Sequence, residues 1–154
     1  MNKVTQRVEP FNMDAREFVR MLVDRSHPQH TSGLQRFDHC FMNLPMDAVE
    51  FLDVFVGLWN KCDPQVWEHT QLPTIHVYGF TKEATRDKAM EYFCGRIGAA
   101  MQYLAFCEKD VVSFHNIRDV STVSHMYSTS FVLPEQVAYC SHVSEGEEES
   151  EKKR

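Results

Sequence analysis

The sequence predicts an α/β fold in which a doubly wound, mostly parallel sheet ends in an antiparallel hairpin. Apolar runs of strand length alternate with segments of helical spacing along most of the chain. The last two β-like runs, residues 111–120 and 127–133, follow each other without a helix between them. Strands that alternate with helices are typical of parallel sheets, and consecutive strands with a short polar connection are typical of hairpins.

Size and composition indicate one globular domain and exclude neither an enzyme nor a binding protein. The chain has 154 residues, of which 43% are hydrophobic and 25% charged. Its net charge of −6 argues against a generally basic nucleic-acid-binding surface. Part of that charge lies in the glutamate-rich end of the chain, so the folded body is nearer neutrality. Nucleic-acid binding is neither indicated nor excluded.

Cysteine and histidine spacing predicts neither disulfides nor a metal site. The five cysteines are an odd set without close pairs, which favours reduced thiols. The eight histidines lack metal-ligand spacing, and we expect His39 and His76 to be packed and hydrogen-bonded within strands. No apolar run is long enough to cross a bilayer, so no membrane association is expected.

The beginning of the sequence predicts a strand over residues 4–11, followed by a helix over residues 15–24. Pro10 implies that this strand lies at the edge of the sheet or ends there. Asp14 and Glu17 have the spacing of a capping box at the start of that helix. The Asp14 carboxylate therefore has two compatible roles. It caps the helix, and it can accept hydrogen bonds from a ligand amine.

The second unit is a surface loop over residues 26–36, followed by a short, mostly buried strand over residues 37–42. Asn43, Leu44 and Pro45 come at the carboxyl end of that strand, which is where open α/β sheets bind ligands. Pro45 restricts the backbone, so the Asn43 carboxamide is held rigidly for a polar, planar ligand. An ordinary turn into a helix explains the same pattern.

Asp47 and Glu50 repeat the capping-box spacing and predict a helix with one apolar stripe. That stripe consists of Ala48, Leu52, Phe55 and Trp59, and we interpret it as core. Residues 62–73 are predicted to be a connector between this helix and the next strand. The side chain of Trp67 within it is either packed or exposed.

Residues 74–80 form a third predicted strand, and a helix follows it. Gly95 and Gly98 weaken that helix and indicate close approach to a neighbouring element. From about residue 141 onward the chain is polar and charged without apolar anchors, which predicts disorder.

Three stretches together resemble the archaeal and eukaryotic tRNA (guanine-N1)-methyltransferase family. They are residues 11–18, residues 42–45 with 50–52, and residues 112–120 with 130–134. The resemblance spans about residues 3–139. It implies that residues 1–140 are the C-terminal part of a class I, Rossmann-like S-adenosylmethionine-dependent methyltransferase domain, with residues 141–154 as a disordered acidic tail.

The resemblance also implies an activity, a cofactor and site residues. The family transfers a methyl group from S-adenosyl-L-methionine to N1 of the guanosine just 3′ of the anticodon in tRNA. Asp14 and Ala15 would lie against the adenine of the cofactor, and Asn43 would lie near the methyl donor and target base. No catalytic residue is assigned in this chain, because the family's general base would precede Met1. A monomer is expected, in cytoplasm, nucleus or mitochondrial matrix.

The sequence departs from the family pattern in ways that predict weak or no activity for this chain alone. The earlier strands, the glycine-rich loop for the methionine end of the cofactor and an acidic residue for the ribose are not found. Residues 121–124 also differ from the family after Arg118. Two alternatives remain: a non-catalytic α/β module that binds a protein partner, and a methyltransferase for another substrate. Arg118 and Lys82 either contact phosphate or make surface ion pairs.

Overall fold

The computed structural model describes residues 8–30, 36–44, 46–67 and 71–141. The chain begins with helix α1 (Ala15–Val23), strand β1 (His39–Met42), two 3-10 helices (Ala48–Phe55 and Leu58–Lys61) and the short helix α2 (Pro64–Trp67). It continues with β2 (Thr74–Thr81), α3 (Arg86–Ala100), a 3-10 turn (Glu108–Asp110), β3 (Val111–Ser121), β4 (Ser124–Val132) and α4 (Glu135–Ala138). We call Ala48–Phe55 the long 3-10 helix.

The sheet has four strands in the order β1-β2-β4-β3 among the described residues. Strand β1 runs parallel to β2, with Cys40 opposite Ile75. Strand β4 is antiparallel to both β2 and β3, and β3 and β4 form the predicted hairpin. The mixed α/β fold with a C-terminal antiparallel hairpin is therefore confirmed. The prediction of a mostly parallel sheet is wrong for the described residues, because only the β1–β2 pair is parallel.

Two predicted β segments differ from the structure. Residues 8–11 form no strand, and residues 4–7 lie outside the described residues. The strand predicted over residues 37–42 is shortened to β1 and is not mostly buried, because His39 is exposed and Phe41 is 69% exposed. A strand is buried on both faces only where other elements pack on both sides of the sheet, and among the described residues Phe41 is left exposed. The predicted acidic tail, residues 142–154, also lies outside the described residues.

The helix predicted after Asp47 is a 3-10 helix rather than an α-helix. Asp47 makes no capping hydrogen bond through its side chain, so the predicted capping box is wrong. The segment is rich in β-branched and aromatic residues, which have low helix propensity, and it is followed by Gly57 in the left-handed region, with φ of 67°. Its apolar stripe is nevertheless core, since Leu52 and Phe55 are fully buried.

One aromatic cluster fixes the connector between β1 and β2. The rings of Trp59 and Trp67 meet edge to face at 5.1 Å, and Phe37 contacts both of them. Trp67 is 5% exposed, which decides between the two placements that the sequence allowed. The part of the connector that forms α2 thus belongs to the core.

Two positions without side chains allow close packing around α3, at Gly79 against the sheet and at Gly98 against the turn that follows the helix. A Cβ atom at Gly79 of β2 would overlap the ring of Phe93, which is fully buried. At Gly98 a Cβ atom would lie 2.8 Å from the backbone oxygen of Tyr103. Gly95, by contrast, faces open space, so the prediction of a close approach holds for Gly98 and is wrong for Gly95.

Candidate functional site

A cleft of about 470 Å³ lies between α1, β1 and the long 3-10 helix. Its walls are mainly apolar, with Val19 and Leu22 from α1 and Val54 from the long 3-10 helix. Ala15 and Asn43 both line it. The cleft therefore brings together two of the three site residues predicted from the sequence, one at the start of α1 and the other directly after β1.

Asp14, the third predicted residue, lies beside the cleft as the cap of α1. Its Oδ1 accepts hydrogen bonds from the backbone N–H groups of Arg16 at 2.9 Å and Glu17 at 3.2 Å. Within the described part of the chain its Oδ2 accepts none. The predicted N-cap is confirmed, and one carboxylate oxygen remains for a ligand donor. The Glu17 carboxylate instead contacts Arg20 and His27, so the reciprocal half of a capping box is not seen.

The two predicted caps differ in what their removal should do to stability, because Asp14 caps a helix and Asp47 does not. Replacing Asp14 by alanine removes an acceptor from two backbone N–H groups and should cost about 1 kcal/mol of unfolding free energy. Asp47→Ala is the matched control, because that side chain caps nothing, and we expect a change below about 0.5 kcal/mol. Urea denaturation of both variants measures the difference. Equal losses would contradict the assigned caps.

Asn43 follows β1 directly and its side chain is exposed to solvent. The backbone carbonyl of Leu44 accepts hydrogen bonds from the N–H groups of Asp47 and Ala48, which begins the long 3-10 helix. Asn43 thus lies between β1 and the long 3-10 helix, at the strand end that the sequence predicted. Pro45, to which the prediction assigned the rigidity, lies outside the described residues.

Arg16 is a cleft residue that the sequence reasoning missed. Its Nε donates to Asp53 Oδ1 at 2.8 Å and its Nη2 to the backbone oxygen of Glu50 at 3.1 Å. The guanidinium also lies 4.1 Å above the ring of Phe51. The hydrogen bond with Asp53 raises the pKa of Arg16. Arg16 therefore joins α1 to the long 3-10 helix and fixes the width of the cleft. No local sequence motif identifies this role, since its partners lie far along the chain.

A histidine pair crosses from β1 to β2 beside the cleft. His39 Nδ1 and His76 Nε2 lie 3.0 Å apart, and His76 Nδ1 lies 2.8 Å from the hydroxyl of Ser130. The ring of Phe41 stacks on His76 with a centroid distance of 4.3 Å. Burial and the neighbouring His39 lower the pKa of His76. Both histidines are hydrogen-bonded as predicted, although His39 is exposed rather than packed.

The lowered pKa of His76 predicts a loss of stability on mild acidification. An unfolded histidine titrates near about pH 6.5, and folded His76 titrates below that. Between these two pKa values the unfolded chain binds more protons, so the contribution present above about pH 6.5 is lost as pH falls through the folded pKa.

The measurement is the urea midpoint from neutral pH down to about pH 5, which lies above the range of ordinary carboxylates. Wild-type protein should lose stability over this range more steeply than His76→Gln. Parallel pH profiles for the two proteins would contradict the assignment.

The hairpin carries the remaining residues considered from the sequence. Arg118 is exposed on β3, whereas its neighbour Asp119 pairs with His125 at 2.6 Å across the hairpin. The divergent segment 121–124 is the hairpin turn, with Ser121 opposite Ser124. Lys82 lines a second cleft at the end of β2 together with Arg96. These positions are separate from the cleft that Ala15 and Asn43 line.

The described residues contain neither a metal-binding group nor a membrane-spanning helix. No three histidine, cysteine, aspartate or glutamate side chains in the described ranges are grouped so that they could hold a metal ion. No helix among the described residues combines the length and apolarity that crossing a membrane needs.

Comparison with known proteins relates the chain to one group of enzymes. The tRNA (guanine(37)-N(1))-methyltransferase of Danio rerio is 35% identical over 143 residues, which cover 92% of this chain and 28% of the relative. The protein of that name from Aspergillus fumigatus is 33% identical over 181 residues, covering 90% of this chain and 38% of the relative. The tRNA (guanine(37)-N(1))-methyltransferase 2 of Arabidopsis thaliana is 36% identical, covering 90% and 20%.

No protein-family model matches the chain. The crystal structure of WT Trm5b from Pyrococcus abyssi is similar with a TM-score of 0.42 and 22% identity, covering 63% of this chain and 25% of that one.

The fold is mixed α/β, with a ligand-sized cleft beside the edge strand β1. By sequence the chain is a homologue of the tRNA (guanine(37)-N(1))-methyltransferases, which confirms the resemblance inferred from its motifs. It spans between 20% and 39% of the length of the curated relatives that it matches.

Proposed function

We propose that this chain forms part of a class I S-adenosyl-L-methionine-dependent methyltransferase that acts on N1 of the guanosine 3′ of the anticodon in tRNA. The observation that carries the proposal is the sequence relationship, which covers about nine-tenths of the chain in each relative named above. The arrangement of the cleft is compatible with it, because Ala15 and Asn43 share one cavity of nucleoside-accommodating size.

In this proposal Asp14, Ala15 and Asn43 position the cofactor. The free Oδ2 of Asp14 would accept a hydrogen bond from the exocyclic amine of adenine, while Oδ1 continues to cap α1. The small Ala15 side chain would leave room for the planar ring. Asn43 offers two donors and one acceptor near the methyl donor and the guanine. The cofactor supplies the electrophilic methyl group, and this chain's residues contribute orientation.

The chemistry of the cleft also supports weak binding of the cofactor by this chain alone. Among the described residues that line the cleft there is neither a glycine nor a carboxylate. A glycine allows backbone to approach a charged ligand closely, and a carboxylate holds ribose hydroxyls. The described cleft therefore supports adenine recognition better than recognition of the ribose or the methionine end.

Two proteins test the proposal by calorimetric titration with S-adenosylmethionine. The first is this chain alone, for which we expect a dissociation constant weaker than about 1 mM. The second, called the graft, is the Danio rerio relative in which the matched residues are replaced by this chain. The graft should bind the cofactor at least about 100-fold more tightly than the chain alone, equivalent to about 2.7 kcal/mol.

The titration separates failure of the proposed function from failure of the expected weak binding. A folded graft that does not bind S-adenosylmethionine would contradict the proposed function. Micromolar binding by this chain alone would contradict the proposed dependence on further residues, without contradicting the assigned cofactor.

A further inference from the structure

The second cleft, of about 370 Å³, lies where the last residues of β2 meet α3 and the hairpin turn. Phe80 and Thr81 end β2, Tyr92 and Arg96 belong to α3, and Ser124 starts β4. A cavity of this size accommodates one small ligand. None of the residues assigned to the cofactor or to the target base lines it.

The second cleft lies close to Asn43. Strands β1 and β2 are parallel, with Met42 opposite Val77, so their carboxyl ends lie at the same end of the sheet. Asn43 lines the first cleft and Met46 lines the second. Three residues of chain reach at most about 11 Å, so the two clefts lie side by side at the start of the long 3-10 helix.

Two charged side chains of the second cleft make no ion pair within the described part of the chain. Lys82 is exposed, and Glu83 beside it is half-buried. Neither side chain belongs to any ion pair among the described residues. The backbone N–H of Glu83 donates to Thr81 Oγ1 at 3.1 Å, which holds the turn that carries both charges. An ammonium therefore remains for a phosphate group, and a carboxylate remains for a donor such as the amine of a base.

An aromatic surface in the same cleft is held in a fixed position. Tyr92 is 37% exposed. Its hydroxyl accepts a hydrogen bond from Arg96 Nη1 at 3.3 Å, and Arg96 Nη2 donates to Glu50 Oε1 at 2.6 Å. These bonds tie the ring to the long 3-10 helix, which follows Asn43 in the chain. A fixed, exposed ring is a platform on which a nucleobase stacks, whichever base it is.

We propose that the second cleft holds the nucleotide next to the methylated guanosine of tRNA, an inference that rests on the proposed function. The base of that nucleotide stacks on Tyr92 and donates an amine hydrogen to Glu83, while Lys82 contacts its phosphate. Enzymes that act on one base take it out of its stack, and their contacts with the flanking nucleotides hold the strand. Inorganic phosphate alone fits less well, because Glu83 repels it and the aromatic surface contributes nothing to its binding.

The base contact is tested by the dissociation constants of the graft for three fluorescently labelled tRNA transcripts, measured by anisotropy. One transcript is intact, and the other two lack the base of the nucleotide immediately before or after the target guanosine. Loss of the stacked base should weaken binding to the graft by about tenfold. The same loss should weaken binding to the graft with Tyr92→Leu by less than about twofold, because the platform is already gone. We expect this coupling for one of the two abasic transcripts.

The phosphate contact is tested by Lys82→Ala and the salt dependence of tRNA binding. Loss of one phosphate contact should reduce the slope of log affinity against log salt concentration by about 0.7–1. Lys109→Ala is the matched control, because that lysine is also exposed but lies in the 3-10 turn before β3. The control should leave the slope unchanged. Circular dichroism establishes that each variant folds.

Three results would overturn the inference. The first is equal weakening by each missing base in the unmodified graft and in Tyr92→Leu. The second is a salt slope for Lys82→Ala equal to that of the unmodified graft, and this comparison decides alone if Tyr92→Leu does not fold. The third is a folded graft that does not bind the intact transcript. Binding is measured without methyl transfer, so coupled binding with no transfer to N1 counts against the proposed function and not against this inference.

Discussion

Gly98→Ala should destabilise the protein by about 2 kcal/mol, within the range found for overpacked cores. The new Cβ atom would lie 2.8 Å from the backbone oxygen of Tyr103 and 3.4 Å from the Cβ of Phe106. A backbone oxygen cannot rotate away as a side chain can. Moreover, the N–H of Tyr103 donates to the oxygen of Gly98 at 2.8 Å and holds this turn against the end of α3.

Gly95→Ala in the same helix is the matched control, with the opposite sign. No atom lies within 4 Å of a Cβ built there, and the position is exposed. Alanine should stabilise this position by about 0.5–1 kcal/mol, because it loses less backbone entropy than glycine on folding. Chemical denaturation of both variants gives the two values. Equal effects would mean that the turn after α3 is not packed as described.

Asn43→Ala should lower the kcat/KM of the graft for tRNA methylation by about 100-fold. The carboxamide is assigned to hold the methyl donor and the guanine in line, and small losses of alignment have effects of this size. Asn43 is exposed, so its replacement leaves the fold intact. The assay is a steady-state measurement with methyl-labelled cofactor and a tRNA transcript.

Two other variants show whether that loss is specific. Asn60→Ala removes another exposed carboxamide, which donates to the Cys140 backbone oxygen outside the cleft, and should leave kcat/KM nearly unchanged. Asn43→Asp keeps the shape but replaces two donors by an acceptor, so it should behave like Asn43→Ala if a donated hydrogen bond is required. An unchanged rate for Asn43→Ala would remove this residue from the proposed site.

Local sequence patterns predicted the parts of the fold that depend on nearby residues. The helix at residues 15–24 and its cap at Asp14 are specified by apolar spacing and a short polar side chain, and both are seen. The hairpin follows from two β-like runs with a polar turn. These features need no information from distant parts of the chain.

Features set by tertiary contacts were not predictable in the same way. The exposure of Phe41 depends on which elements pack on its face of the sheet, and the apolar run alone indicated burial. Arg16 was missed because its partners Asp53 and Glu50 lie on the long 3-10 helix. Glycines 95 and 98 look alike in sequence, and only the packing of Tyr103 distinguishes them.

The site residues were predicted from local patterns, but their position relative to one another is set by the fold. Ala15 and Asn43 follow a cap signal and a strand end, and the fold brings both to one cleft. Asp14 lies at the adjacent helix terminus with one carboxylate oxygen used for capping. Their assigned contacts with S-adenosylmethionine stay a prediction.

The position of the transferred methyl group tests the proposed function most directly. The graft, S-adenosylmethionine and a tRNA transcript with guanosine 3′ of the anticodon should give a product methylated at N1 of that guanosine, identified by a reverse-transcription stop and nucleoside mass spectrometry. A transcript with adenosine at that position should remain unmodified. Methylation of another nucleotide, or none by a folded graft that binds the cofactor, would contradict the account.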